Sequence, residues 1–225
     1  MPKHTDPFRS SRRKSGIEHT TFNGEPIPFL LRLKDLRKTV KDWKAFSSDH
    51  PFQVVPHSEE KLRSMRQIPI EMDPPEHTDF RTLLEPVFKR PTQNEYRLDM
   101  EAMIGGMVTD LLGVGELEIV QGFALPLQCR ALAKLLGVSE SEAEIWKGWG
   151  MHALTEGNQL EDYTAEQFRK AEQEPGSDFF SFLNQVEMKG RLLTLEEKQG
   201  IANVTFAGGK DTVINVVSSI MVYLA

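Results

Sequence analysis

The sequence predicts a mainly α-helical protein with a small β portion. Three observations carry that prediction. Apolar residues recur at three- and four-residue spacing in most segments. Two starts, Asp73-Pro74-Pro75-Glu76 and Thr194-Leu195-Glu196-Glu197, place a capping residue three positions before a glutamate. Strand-like stretches are short, at 26–33 and 117–120.

Taken in order, residues 1–25 read as a polar N-terminal arm whose cluster Ser10 to Ser15 holds Arg12, Arg13 and Lys14; a solvated tail and a contact site for an anionic partner are both compatible with it. Pro26 opens an edge strand, where proline is tolerated. Residues 34–45 follow as a helix, with Leu33, Leu36, Val40 and Trp43 on one stripe. Residues 46–72 are irregular. Asp73 is expected as an N-cap with Pro74 at the first helical position, opening a helix through Phe80, Leu84, Val87 and Phe88 that stops at Lys89-Arg90-Pro91.

A second helix is expected over 96–112, its Met100, Met103 and Met107 acting as core filler. Residues 125–136 form another, ended by Gly137, and 140–154 are expected to be helical. Residues 156–178 are too polar to place, and 179–186 are helical. From Thr194 a helix runs to the end. Ten of its last 13 residues are apolar and spread around the helix, so the sequence reads as cut inside a helix meant to be buried on all sides.

Composition narrows the function. Of 225 residues, 39% are hydrophobic and 27% charged, an ordinary globular mixture. The net charge of −6 argues against nucleic acid as a partner. Cys129 is the single cysteine, which excludes an internal disulfide and a multi-cysteine zinc site and suits a reducing compartment. No apolar stretch follows the basic residues 9–14, as a secretory signal requires, and no run reaches the ~18 apolar residues of a membrane span. A cytoplasmic protein without a membrane partner is expected.

Two segments carry a resemblance. Glu71-Met72-Asp73-Pro74-Pro75-Glu76-His77-Thr78-Asp79-Phe80-Arg81 closes on Val87-Phe88, and Phe206-Ala207-Gly208-Gly209-Lys210-Asp211-Thr212 lies in the last helix. Together they resemble the cytochrome P-450 family, soluble bacterial type. The first looks like the helix crossing the haem edge, and the second like the oxygen-binding motif of the central helix. Softer matches lie in family order at Phe46-Ser47-Ser48-Asp49, Phe123 to Pro126, Leu135 to Val138, and Pro175 to Asp178. The resemblance covers about 25–225 and implies the N-terminal half of that fold. Residues 26–225 are then an incomplete domain ending inside the long central helix.

The resemblance implies haem b as cofactor, with His77 and Arg81 on one helix face binding a propionate and Phe88, Ala207 and Gly208 beside the ring. Arginine offers a permanent planar fork for a carboxylate, and histidine an N–H donor. The alternative is a surface helix with Arg81 paired to Glu85. Glycine inside a helix costs about 1 kcal/mol relative to alanine, so Gly208-Gly209 calls for a compensating role, such as close approach of a flat cofactor. Asp211 and Thr212 are expected to be catalytic, an acid–alcohol pair feeding the protons that dioxygen activation consumes. The alternative is a helix break with Asp211 as a new N-cap.

Ile68, Phe206 and Gly209 are expected to touch substrate. No metal ligand is expected in this chain. The axial cysteine belongs to a C-terminal half beyond residue 225, and Cys129 lacks the Phe-x-x-Gly pattern that precedes such a ligand. These residues alone are expected to bind haem weakly or not at all.

The implied activity is insertion of one oxygen atom from O2 into a small apolar substrate, with electrons from a ferredoxin or ferredoxin-type reductase system docking near Lys89 and Arg90. The alternative is a haem-free, P-450-like helical protein that binds and activates a partner enzyme. The stretch 149–175 also looks short for the two helices that roof the substrate pocket.

Overall fold

The computed structural model describes residues 6–22, 24–49, 64–150 and 159–224. The chain divides into two compact units, Met1–Asp49 and His50–Ala225.

In the first unit, helix α1 (Arg9–Lys14) leads into strands β1 (Ile17–Phe22) and β2 (Glu25–Leu30), then helix α2 (Leu33–Thr39). The strands pair antiparallel, with Ile17 opposite Leu30 and His19 opposite Pro28. The Leu31 N–H donates to the Gly16 carbonyl. That phase puts Pro26 and Pro28 at non-hydrogen-bonded positions, where a missing N–H costs nothing. Arg32 donates to the carbonyls of Arg12 and Lys14, each at 2.8 Å, and so caps α1. The expected polar arm over 1–25 is therefore corrected: residues 9–22 are a helix and a strand, held by β2 and by Arg32. The stripe on α2 is corrected as well. The helix is shorter than 34–45, and Leu33, Leu36, Val40 and Trp43 stay exposed, Val40 at 76%.

The second unit is built around helix α5 (Leu125–Leu136), whose Leu125, Cys129, Leu132, Ala133 and Leu136 are all buried. Gly137 ends it in the left-handed conformation at φ 71°. The Val138 N–H reaches the Ala133 carbonyl and the Gly137 N–H reaches Lys134, a pairing that satisfies the last-turn carbonyls. Against α5 pack α3 (Glu76–Phe88), α6 (Glu140–Gly148) and α9 (Leu195–Leu224).

Several expectations change here. Helix α3 starts at Glu76 behind Pro75, with no side-chain cap at that position, so Asp73 and Pro74 are not N-cap and first helical residue. In α4 (Asn94–Asp110) Met107 is buried as core, while Met100 and Met103 are only half-buried, so the expected methionine core is reduced to one residue. The strand-like 117–120 is instead the approach to a π-helical turn, Val120–Ala124, because the Glu118 carboxylate accepts from the Val120 and Gln121 N–H groups. Helix α6 ends at Gly148 rather than near 154, and 151–158 lie outside the described residues. The unplaced polar stretch holds α7 (Gln159–Gln173), which buries Leu160, Thr164, Phe168 and Ala171 on one narrow stripe. Helix α8 (Phe179–Gln185) forms as expected, capped by Asp178. A tight hairpin, β3 (Glu187–Met188) with β4 (Arg191–Leu192), precedes α9.

The capping box at Thr194 forms. The Glu197 N–H donates to Thr194 Oγ1 at 3.2 Å, and the Thr194 N–H donates to Glu197 Oε2 at 2.8 Å. Arg191 grips the same carboxylate with both Nη atoms at 2.7 and 2.8 Å. From there α9 is continuous across Gly208 and Gly209. Its first half packs into a ring cluster in which Phe206 meets Trp146 edge-on at 5.0 Å and Tyr163 at 6.0 Å. Segment 66–68 lies directly on α9: the Ile68 N–H donates to the Gly200 carbonyl, and a Cβ built on Gly200 would fall 2.5 Å from the Arg66 carbonyl oxygen.

Candidate functional site

Helix α3 buries Phe80, Leu84 and Val87, at i, i+4 and i+7, against the core. That stripe turns His77, Arg81 and Phe88 away from the core and onto a cavity of about 520 Å3. The facing wall is α9, which contributes Val204, Thr205, Gly208 and Gly209. One wall thus brings cationic and N–H-bearing side chains, and the other brings backbone without side chains.

Among the described residues, neither the His77 nor the Arg81 side chain has a hydrogen-bond or ion-pair partner. Glu85, the acid expected to compete for Arg81, pairs with Lys89 at 2.8 Å. The Arg81–Glu85 pair of the surface-helix alternative therefore does not form. A guanidinium and an imidazole on the same cavity wall suit a ligand bearing carboxylates. Asp79 holds α3 from the other side through Lys189 at 2.7 Å.

The two glycines of α9 do different things. A Cβ on Gly208 would meet nothing within 4 Å, whereas one on Gly209 would press on Leu132 Cδ1 at 3.3 Å. Gly208 leaves the cavity open; Gly209 lets α5 come close. The Thr212 hydroxyl donates to the Gly208 carbonyl at 2.7 Å, and the helix does not break, so Asp211 is not a new N-cap.

Of the residues expected at the site, the cavity gathers His77, Arg81, Phe88, Gly208 and Gly209. It does not gather the rest. Phe206 points into the ring cluster, and Ile68 is core, leaving Pro69 and Ile70 on the wall. Ala207 is half-buried outside the lining, while Asp211 and Thr212 lie a turn further along α9. Phe206 and Ile68 were expected to touch substrate, and their packing moves both into the core.

Two participants were missed from sequence. Thr205 lines the cavity with its hydroxyl tied to the Ile201 carbonyl. Buried Gln128 donates to the Gly209 carbonyl at 2.6 Å. Arg90, expected to face a partner, is structural: it donates to the carbonyls of Leu135 and Ser177. A glutamine among Leu125, Leu127 and Leu132 was the one legible signal. Behind the cavity, burial, and secondarily the hydrogen bond from its hydroxyl to Glu142, pushes Tyr163 up from its ordinary value. Cys129 is 1% exposed with its Sγ donating to Gln128 Oε1 at 3.5 Å. Among the described residues no cluster of three or more His, Cys, Asp or Glu is placed to hold a metal, and no helix is long and apolar enough to cross a membrane.

No protein-family model matches the chain. Among curated proteins it is similar to a cytochrome P-450 of Sinorhizobium fredii, 29% identical over 216 residues, covering 91% of this chain and 51% of that protein. It is also similar to the cytochrome P-450 YjiB of Bacillus subtilis, 25% identical, covering 97% of this chain and 58% of that protein. Among solved structures, a carbohydrate-active P-450 matches with a TM-score of 0.90 and 43% identity, covering 98% of this chain and 59% of the other. CYP101J2 shares the fold at a TM-score of 0.77. The chain spans about half the length of the curated relatives it matches. Proteins of this kind use haem b with a cysteine thiolate on the iron. The haem-free, partner-activating alternative finds no support among them. The order of elements, the cavity between α3 and α9 and these likenesses agree: the chain is similar over nearly its whole length to members of the cytochrome P-450 family and carries part of that family's fold.

Proposed function

We propose that the protein carrying this chain is a haem-dependent monooxygenase that inserts one oxygen atom from O2 into an organic substrate. The observation that supports this most is the cavity itself, with His77 and Arg81 unpaired on one wall and Gly208 open on the other. The residues fit haem b. Arg81 and His77 would hold a propionate, Phe88 would border the ring, and Gly208 would leave the ring room. When bound, the haem supplies the iron at which dioxygen is reduced.

The chain's own residues handle protons and position. Thr212 Oγ1 holds its proton toward the Gly208 carbonyl. Asp211, beside it on α9, is the acid that would replace that proton once it moves toward the cavity. Electrons come from a ferredoxin-type partner. Lys89 is the basic residue left to face it, since Arg90 is committed to two carbonyls.

The substrate proposed is a carbohydrate. The supporting observation is the likeness to the carbohydrate-active P-450, at 43% identity over nearly the whole chain. This replaces the small apolar substrate first expected. With the protein expressed from its natural reading frame, neutral sugars should shift the haem absorption toward the high-spin form more than aliphatic or terpenoid compounds of similar size. The reverse order would remove the carbohydrate assignment. Arg81→Ala should weaken haem retention about tenfold or more, as loss of a charge-assisted hydrogen bond implies. Haem affinity equal to the parent's would overturn the propionate role.

A further inference from the structure

We propose that Gln128 is a positioning residue for the Gly208–Thr212 turn of α9, acting through the Gly209 carbonyl. The proposal deepens the monooxygenase reading and rests on it for its catalytic purpose.

Gln128 is 1% exposed, on the face of α5 that meets α9. Burying an amide is unfavourable unless it is bonded, and a leucine would suit its apolar neighbours better. Its Nε2 donates to the Gly209 carbonyl at 2.6 Å, joining residues 81 apart in sequence. The acceptor is a carbonyl, so only the NH2 end of the amide can face it. The other end, Oε1, takes the Cys129 thiol. Leu132, one turn on, fills the space where a Gly209 side chain would lie. Gly209 is therefore held by α5 on two sides.

The neighbouring carbonyl, Gly208, takes the Thr212 hydroxyl at 2.7 Å. Two successive carbonyls of one helix thus each accept a side-chain donor, at the point where the helix borders the cavity. Side-chain donors on helix carbonyls fix or bend the local axis. Gln128 sets the Gly209 peptide from outside the helix, and with it the angle at which Gly208 and Thr212 meet the cavity.

The test compares Gln128→Met, Gln128→Glu and Leu132→Ala. Methionine keeps the volume and loses the donor. In the chain itself, amide hydrogen exchange across 208–216 should quicken about tenfold in the Met variant, while α7 and α8 stay as in the parent. Leu132→Ala, a packing loss on the same face, should quicken exchange throughout the core.

In the haem-loaded protein from the natural reading frame, the Met variant should lose coupling. Less of the electron supply should appear in product and more in reduced oxygen species, with haem content and substrate affinity unchanged. The Glu variant regains a donor only when protonated, so it should follow the parent at low pH and the Met variant at high pH. Unchanged exchange across 208–216 in the Met variant would overturn the proposal, and so would quickened exchange with unaltered coupling. A parent that makes no product at all would sink the monooxygenase reading instead, and the parent's own lack of turnover tells that failure apart.

Discussion

The two halves of α9 have opposite surroundings, and it is the less apolar first half that is buried. Before Gly208, Ile201, Ala202 and Phe206 are buried completely. After Ile214, Val216, Ile220 and Val222 are exposed, Val222 at 76%. The polar residues differ in the same way. In the first half Asn203 accepts from Gln67 on another segment, whereas in the second the Ser219 hydroxyl bonds back to its own helix at Asn215. Helical periodicity is a property of the residues, but burial is a property of what stands opposite. Gly208 and Gly209 sit at the changeover, and the cavity opens there.

The largest break in this comparison is expected in the first half. Phe206→Ala should cost about 3–5 kcal/mol, because it empties the centre of a ring cluster that cannot collapse freely. Urea unfolding of the chain measures it. The two glycines come next and should move in opposite directions. Gly208→Ala has open space and should gain up to about 1 kcal/mol of helix stability, while Gly209→Ala must push Leu132 aside and should lose stability. A haem ring lying over Gly208 predicts, in addition, that Gly208→Ala binds haem less well despite being more stable. Thermal melts beside haem titrations separate the two effects.

A smaller effect belongs to the start of α9. Thr194→Ala should cost about 1 kcal/mol. Glu197 is held below its ordinary value first by the hydrogen bond from Arg191 and then by the Thr194 N–H. A depressed folded-state value means that Glu197 stabilises the fold above the unfolded carboxylate value and loses that contribution as pH falls through the folded one. Stability of the parent should therefore drop on acidification more than that of Glu197→Gln. The smallest effect is predicted at Val222→Ser, within about 0.5 kcal/mol, since nothing covers that side chain. A large loss there would show that the exposed half of α9 is packed in solution.

The helices α5, α8 and α9 were legible because each carries an apolar run together with a stop or a start (Gly137, Asp178, the box at Thr194), and α3 was legible from the stripe of Phe80, Leu84 and Val87. Helix α7 was not, because its stripe is four residues wide in a polar segment. The box at Asp73 failed where the one at Thr194 held, since Pro75 in front of Glu76 offers no donor or acceptor side chain. At the site, His77, Arg81, Phe88, Gly208 and Gly209 could be listed from motif order, and they share one cavity. The facing of Phe206, the roles that divide Gly208 from Gly209, and the reach of Gln128 across 81 residues depend on the rotation of α9 against α5. Spacing within one helix does not specify that rotation.

Gly200 carries a consequence for how such a sequence drifts over generations. The atom a side chain would strike there is the Arg66 carbonyl oxygen, part of the main chain. A clash with a neighbouring side chain can be relieved by a second substitution that shrinks the neighbour. A clash with a carbonyl cannot, because every residue type presents the same oxygen. As long as segment 66–68 keeps its path over α9, this position has no compensating partner and no gradual route away from glycine.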